Sequence, residues 1–545
     1  MLAVLFLVAM VFFIICYRVY GRFQSNVYGL DKNRKTPAEC LYDGVDYCPA
    51  HPAVLLGHHF SSIAGAGPVV GPITAASMFG WLPAYLWCLF GSAFLGGPHD
   101  TGSLVASIRH DGKSMGEVIS RWIGERGRFL FLCFSILTLI LIVAVFLQLA
   151  ADTMSADPAV AFAACLYMAM AIVFGLLVYR FNVSLKVSTI IMLPLVFGAC
   201  WFAKINPAIA EPFAFDMETW RWMLVIYIIA ASLLPVWLLL QPRDYLASYF
   251  LYFSVLIGAI GMLFGSGSFE VVLPAFKSFT AAGDQYLWPM LFVVVACGAI
   301  SGFHSMVGSG TSSKQLRTET DSLVVGYGAM LLEGMVAVIA IGTIMISGVI
   351  TGTPVGTYAA GFGKFASLIG IDPAIGTSLG ALAINSFILT SLDTATRLTR
   401  YQIQEFSNYK INKYIATLIA VAAAVALLMY KSGGKPMSAV IWPIFGSANQ
   451  LVAALALLGV AVWIQKALKK DNRFLMYPMW FMLVTTIAAL LMLIRDQFNA
   501  AAGPNILLVA ISVLLMGLAA MMVKEAMAAL KSGPSVTPPT AEIRD

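Results

Sequence analysis

Several residues in this chain have the chemistry to bind or move an ion. His58 and His59 stand together in Gly57-His58-His59-Phe60-Ser61-Ser62, His304 lies in Ser301-Gly302-Phe303-His304-Ser305, and Asp393 lies in Thr390-Ser391-Leu392-Asp393-Thr394. Each falls within or beside a long apolar run, where an ionisable side chain is costly and is usually turned to a partner or a wet cavity. Imidazole titrates near neutral pH, so His304 can carry a proton. The hydroxyls of Ser305, Ser309, Thr311 and Ser312, spaced by Gly308 and Gly310, can instead hold sodium through hard oxygen ligands. A histidine bonded to a neighbouring carbonyl is the competing reading. Asp393 has Arg397 at helical i,i+4 spacing, so an ion pair along one helix competes with a gating or coupling role. Neighbouring helical positions point about 100° apart, so His58 and His59 cannot share one metal; a capping role competes with proton handling at His58.

The residues fit to hold a substrate are those of a broken helix. Between Gly57 and Thr74 glycines and prolines crowd an otherwise apolar segment, with Gly67-Pro68 and Gly71-Pro72 close together. Proline lacks an N–H and glycine loosens the backbone, which frees amides and carbonyls. Such groups persist inside a membrane only where protein or a wet cavity satisfies them. Ser61, Ser62, Ala64, Gly65, Gly67 and Pro68 are therefore candidate substrate contacts, and a second break at Leu234-Pro235, in Ala231-Ser232-Leu233-Leu234-Pro235-Val236, is a candidate partner. Asp100 and Asp244 sit nearer the ends of their segments and are expected to be solvated. Asn449 and Gln450 are expected to bond across helices rather than to substrate.

The elements that must position these groups follow from composition. With 545 residues, 60% hydrophobic and 11% charged, and a mean hydropathy of +0.86, the chain is an all-α polytopic membrane protein rather than a soluble globule. Apolar runs of about 18 to 25 residues give about fifteen transmembrane helices, beginning with a retained span at the N-terminus. One span is expected at 287–312 and a thirteenth at 438–464. The net charge of +6 comes from Lys and Arg in alternate short loops, which is a topology signal and not a nucleic-acid surface. Loops with Arg22 to Lys35, Arg109 to Arg128, Lys314 and Arg317, Arg400 and Lys410, and Lys466 to Arg473 are expected inside. That puts the N-terminus outside and the C-terminus in the cytoplasm.

The spans can be laid over each other as five plus five, each set opening on an interrupted helix. Since five is odd, the sets run in opposite directions, which is the inverted repeat of many secondary transporters. The expected organisation is residues 1–56 as an N-terminal helix and loop, 57–205 as the first repeat, 206–397 as the second, and 398–545 as C-terminal helices with a short tail. No complete metal-ligand motif accompanies the histidines, and no cofactor is expected beyond a coupling proton or sodium ion. A histidine-dependent metal or haem protein and a passive channel are the alternatives.

Together these strings resemble the carbon starvation protein (CstA) family. The resemblance rests on Asp43-Gly44-Val45-Asp46-Tyr47-Cys48-Pro49, Gly57-His58-His59-Phe60, Ala64-Gly65-Ala66-Gly67-Pro68, Ser301-Gly302-Phe303-His304 with Ser309-Gly310-Thr311, Leu392 to Arg397, and Trp442-Pro443 to Asn449-Gln450. It departs at Ala50-His51-Pro52 and Gly97-Pro98-His99-Asp100. The resemblance implies a bacterial inner-membrane transporter of the amino acid-polyamine-cation superfamily, with a leucine-transporter-like five-plus-five core. It also implies uptake of a small nutrient, pyruvate or short peptides, during carbon starvation. Membrane lipid and that nutrient are the expected partners.

Overall fold

Apolar runs fold as helices because a helix pairs its backbone groups within the segment. The computed structural model describes residues 1–44, 47–235, 238–432, 435–436, 441–499 and 503–531. Val45 and Asp46 of the loop motif, Val236 of the expected second break, residues 438–440 of the thirteenth expected span, and the tail after Lys531 lie outside the described residues.

The helices, in chain order, start with α1 (Leu2–Tyr28), α2 (Pro52–Ala64) and α3 (Gly67–Phe79). Next are α4 (Trp81–Gly91) and α5 (Gly97–Ile108), joined by a π turn, the short α6 (Met115–Ile123) and the long α7 (Glu125–Ala156). Then come α8 (Pro158–Gly175), α9 (Leu185–Ile205), α10 (Met217–Leu233) and α11 (Leu240–Phe264). A two-stranded ribbon, Thr280–Ala281 with Gln285–Tyr286, precedes α12 (Leu287–Val294), α13 (Gly302–Gly310), α14 (Ala329–Ser347) and α15 (Pro354–Ser367). The chain continues through α16 (Pro373–Phe406), α17 (Lys413–Met429), α18 (Ile441–Trp463), α19 (Arg473–Phe498) and α20 (Ile506–Lys531). Two single helical turns, Pro37–Cys40 and Pro207–Ala210, are left unnumbered.

Among the described residues 10 helices are long and apolar enough to cross a membrane, or 11 when the bent pair α2 and α3 counts as one span. The expected fifteen exceeds this because a hydropathy run passes over backbone breaks. α10 ends at Leu233 and α11 begins at Leu240, and non-helical backbone lies between Val294 and Gly302, which leaves α10, α12 and α13 short. α7 and α16 lie along each other at the centre, and α2, α10, α11 and α17 pack around α16.

The break between α2 and α3 bends the chain by 45°. Gly65 there has φ +48°, a region that side chains disfavour, and a β-carbon on it would meet Ser391 Oγ at 2.9 Å and Phe146 at 3.0 Å. Two residues on, a β-carbon at Gly67 would lie 2.3 Å from Cys297 Cβ. Here the first broken helix crosses the Val294–Gly302 break.

At one end of the bundle the basic loops meet. The loop before α2 is stitched to the segment after α13: Cys48 N–H donates to Lys314 O (3.1 Å) and Ala50 N–H to Gln315 O (2.9 Å). Buried Glu319 accepts from Arg34 (2.8 Å) and from Arg109, and the Asp31 amide adds a bond of 2.9 Å. Three basic loops expected on one side therefore do share a side. Close by, Ser114 caps α6, accepting from Glu117 N–H at 3.3 Å. His110 docks α6 through a neutral ring: Nδ1–H donates to Ala106 O (2.6 Å) and Nε2 accepts from the Trp122 indole (2.8 Å).

Two outcomes follow. Gly67→Ala overpacks the crossing and should cost about 1–3 kcal/mol, read as a lower thermal unfolding midpoint in detergent and partly recovered by adding Cys297→Gly. Burial holds the His110 pKa below its ordinary 6.5, against the raising effect of the Ala106 carbonyl. A depressed pKa means stability that is complete above the unfolded value and lost as pH falls through the folded one. His110→Gln should thus show a shallower fall in unfolding midpoint than the parent between about pH 7 and 5.

Candidate functional site

The crossing of the two breaks gathers most of the expected substrate residues. Ser61, Ser62, Ala64, Gly65, Gly67 and Pro68 are all buried there. Ser391 Oγ of α16 donates to Ser62 O (3.1 Å), and Ser61 Oγ donates to His58 O (3.1 Å). The Ser62 hydroxyl has no hydrogen-bond partner among the described residues. Ala66, which opens α3, offers no side-chain cap; Val69 and Val70 N–H turn back to its carbonyl (3.1 and 2.9 Å) and Pro68 carries no N–H, so in the first turn the Gly67 amide is the one left for another acceptor.

The opposing break is not Leu234-Pro235. Val294 O lies 2.6 Å from where a Gly71 β-carbon would sit, and Gly298 packs on Pro68 and Pro72, so residues 295–301 face the first break. The expected unbroken span at 287–312 is therefore interrupted. Its freed groups are met by α18, as expected for an amide pair that bonds across helices. Asn449 Oδ1 accepts from Phe303 N–H (2.9 Å) while its Nδ2 donates to Ser301 Oγ (2.9 Å). Gln450 Nε2 donates to Phe292 O and to Val295 O (3.4 Å), and the Trp87 indole also reaches Val295 O (3.2 Å). Leu234 belongs to a third break, between α10 and α11. There Arg397 donates to Ala231 O (3.0 Å) and Leu234 O (2.9 Å), and Arg400 to Ser232 O (2.5 Å). No described hydrogen bond joins Leu234 or Pro235 to the first break.

Two clusters of buried ionisable groups flank the crossing. In the first, Asp100 of α5 accepts from His99 Nδ1–H at 2.6 Å and from His304 Nδ1–H of α13 at 2.8 Å. The other nitrogen of His304 approaches Glu333 of α14 at 3.2 Å. Asp100, His304 and Glu333 are buried, so the expectation of a solvated Asp100 fails: α5 packs on α13, and the carboxylate meets His304 rather than water. His59 pairs with Ser312 Oγ at 2.7 Å. The Ser305 hydroxyl donates to Gly302 O and that of Ser309 to Ser305 O, both at 2.7 Å, so these oxygens run along their own helix rather than converging. Thr311 lines a small cavity.

In the second cluster, Arg243 of α11 is fully buried and pairs with Asp393 of α16 and with Asp244 (2.8 Å). Tyr227 of α10 donates to Asp393 Oδ2 (2.6 Å), and Tyr167 of α8 donates to Arg243 O (2.5 Å). His58 faces Asp244 at 3.0 Å. The i,i+4 neighbour Arg397 is thus not the main partner of Asp393, because Arg243 reaches it from another helix. Asp244 is buried, contrary to the expectation of a solvated residue.

Cavities open on the basic-loop side, one of them against His58 of the second cluster. One of about 650 Å³ is lined by Cys48, His51, His58, Gln241 and Tyr245, and another of about 530 Å³ by Tyr47, Lys113, Lys314 and Glu405. Between them a constriction of about 30 Å³ touches His58, Lys314, Gln315, Thr394 and Arg397. Among the described residues no group of three or more His, Cys, Asp or Glu could hold a metal ion.

The model of the carbon starvation protein CstA family matches residues 1–351 and 345–489. The chain belongs to this family. It is 31% identical to the Campylobacter jejuni protein named peptide transporter CstA, over 88% of this chain and 78% of that one. The Bacillus subtilis protein of the same name is 33% identical over 92% of both chains. An Escherichia coli relative, 31% identical over 87% of this chain and 79% of its own, is named pyruvate/proton symporter BtsT. Family membership and a helical, membrane-spanning composition agree.

Arg243 tests the second cluster. Arg243→Gln leaves Asp244 and Asp393 buried without their cation, and loss of one partner of a buried pair costs about 3–5 kcal/mol. The expected result is a large fall in unfolding midpoint, measured by scanning fluorimetry of the purified protein in detergent.

Proposed function

We propose that this chain is a secondary active transporter that imports a small nutrient, pyruvate or short peptides, across the bacterial inner membrane by alternating access. The observation that carries this reading is the crossing of two helix breaks in a member of a family whose named relatives are transporters. Substrate contacts are Ser61, Ser62, Ala64, Gly65, Gly67 and Pro68, with the 295–301 segment in place of Leu234 and Pro235. The Gly67 amide and the positive end of the α3 dipole suit a carboxylate, which pyruvate and a peptide C-terminus share. The coupling ion is a proton or sodium, with His304, Ser305, Ser309, Thr311 and Ser312 around its path. His58 and Asp393 belong to an inner gate: Asp244 and Arg243 link them, and His58 lines the cavity at the basic loops.

The reading includes fifteen crossings, with the N-terminus outside and the C-terminus cytoplasmic, and an inverted repeat with shifted boundaries. The first set is α2–α3, α4–α5, α7, α10 and α11, with α8 and α9 as an inserted hairpin; the second is α12–α13, α14, α16, α17 and α18. Mirrored packing supports this assignment. α11 packs on α2, α14, α15 and α16 as α18 packs on α12, α5, α6 and α7. Likewise α3 lies on α14 as α13 lies on α5, and the short α6 on α7 as α15 on α16. α1, α19 and α20 stand outside the repeats.

Uptake into proteoliposomes tests the proposal. Labelled pyruvate or dialanine should accumulate saturably under an imposed proton or sodium gradient, and Gly65→Ala should abolish uptake. Accumulation that survives collapse of both gradients removes the coupling, and failure of both compounds to bind or move removes the substrate class.

A further inference from the structure

Glu333 is the buried acid that the transport reading leaves unused. It stands alone among apolar residues in Leu331-Leu332-Glu333-Gly334-Met335, and it is fully buried. Neither carboxylate oxygen has a hydrogen-bond partner among the described residues. The groups that face it are His304 Nε2 at 3.2 Å and, within electrostatic range, Asp100 and the thiols of Cys88 and Cys297. Among the described residues no Lys or Arg forms an ion pair with it. A carboxylate without donors in such a place is least costly as the neutral acid.

His304 joins this acid to a different kind of carboxylate. Asp100 is held by His99 at 2.6 Å and by His304 Nδ1–H at 2.8 Å, so it is equipped to stay charged. His59, paired with Ser312, and His58 beyond it complete the titratable groups around the Asp100 end. The imidazole thus has its two nitrogens aimed at two carboxyl groups on two other helices. The Ser305 and Ser309 hydroxyls, by comparison, each donate to a carbonyl of their own helix.

Resting on the transport reading above, we propose that the coupling ion is a proton and that it is carried on a Glu333–His304–Asp100 relay. Glu333 in its acid form gives its proton to His304 Nε2, which leaves a carboxylate and an imidazolium held between two carboxylates. The imidazolium then passes its Nδ1 proton to Asp100. One proton enters at Glu333, one arrives at Asp100, and the ring is left as the other tautomer. The relay is tied to substrate because His304 opens α13 immediately after the 295–301 break, while its two acid partners lie on α5 and α14.

The experiment uses the full chain in liposomes with pyruvate and with dialanine, read three ways: exchange without any gradient, accumulation under a proton gradient, and co-movement of protons by a trapped pH dye. The parent should move protons with substrate. Glu333→Gln should keep exchange within about two-fold while accumulation and the dye signal are lost, since an amide cannot shuttle the proton. Glu333→Asp should restore both in part, which also answers the case where the Gln variant fails to fold. Parent accumulation that follows sodium and ignores pH overturns the proposal, as does Glu333→Gln accumulating like the parent. A parent that shows no exchange at all strikes instead at the transport reading.

Discussion

A helix that breaks inside apolar packing must find partners for the amides and carbonyls it releases, and the three breaks in this chain dictate much of the surrounding sequence. Ser391 serves the first, Asn449, Gln450 and Trp87 the second, and Arg397 and Arg400 the third. These side chains come from α16, α18 and α4, so each break pins helices distant in sequence. Without water to fall back on, a lost partner leaves an uncompensated polar group. The polar residues of this apolar protein are concentrated accordingly.

How far the site could be read in advance depended on what each residue shows by itself. The first break is signalled by Gly65 and by Gly67-Pro68, where the structure bends, while the second pair, Gly71-Pro72, lies inside α3. The second has no proline; its marks are Gly298, the pair Ser301-Gly302, and an amide pair nearly 150 residues later, which only the fold brings together. Proline at 235 drew attention to a break that is real but serves another part of the bundle. Asp393 was visible as an ionisable group, yet its partner Arg243 comes from a different helix, and helical spacing reports only neighbours along one face. Glu333 is legible as a lone acid in a span, while Asp100 reads as solvated from its place near the end of an apolar run, because the sequence does not show that His304 meets it from another helix.

The two buried charge clusters divide labour by access. Asp100, His304 and Glu333 are sealed in the packed interior, whereas His58 of the second cluster lines a cavity of about 650 Å³. Consecutive residues of α2 reach toward both, because a turn of about 100° separates their side chains. His58 meets Asp244, and His59 meets Ser312.

That divergence limits how α2 can move. Spinning the helix about its axis would break both histidine contacts at once, while tilting it about Gly65 would load them in turn. Its lower end is also hitched, through Ala50 and Gln315, to the segment that follows α13. The halves of the two broken helices on the basic-loop side, α2 and α13, are thus linked as a single lever with its fulcrum at the crossing, and whatever unseats one at its foot drags the other.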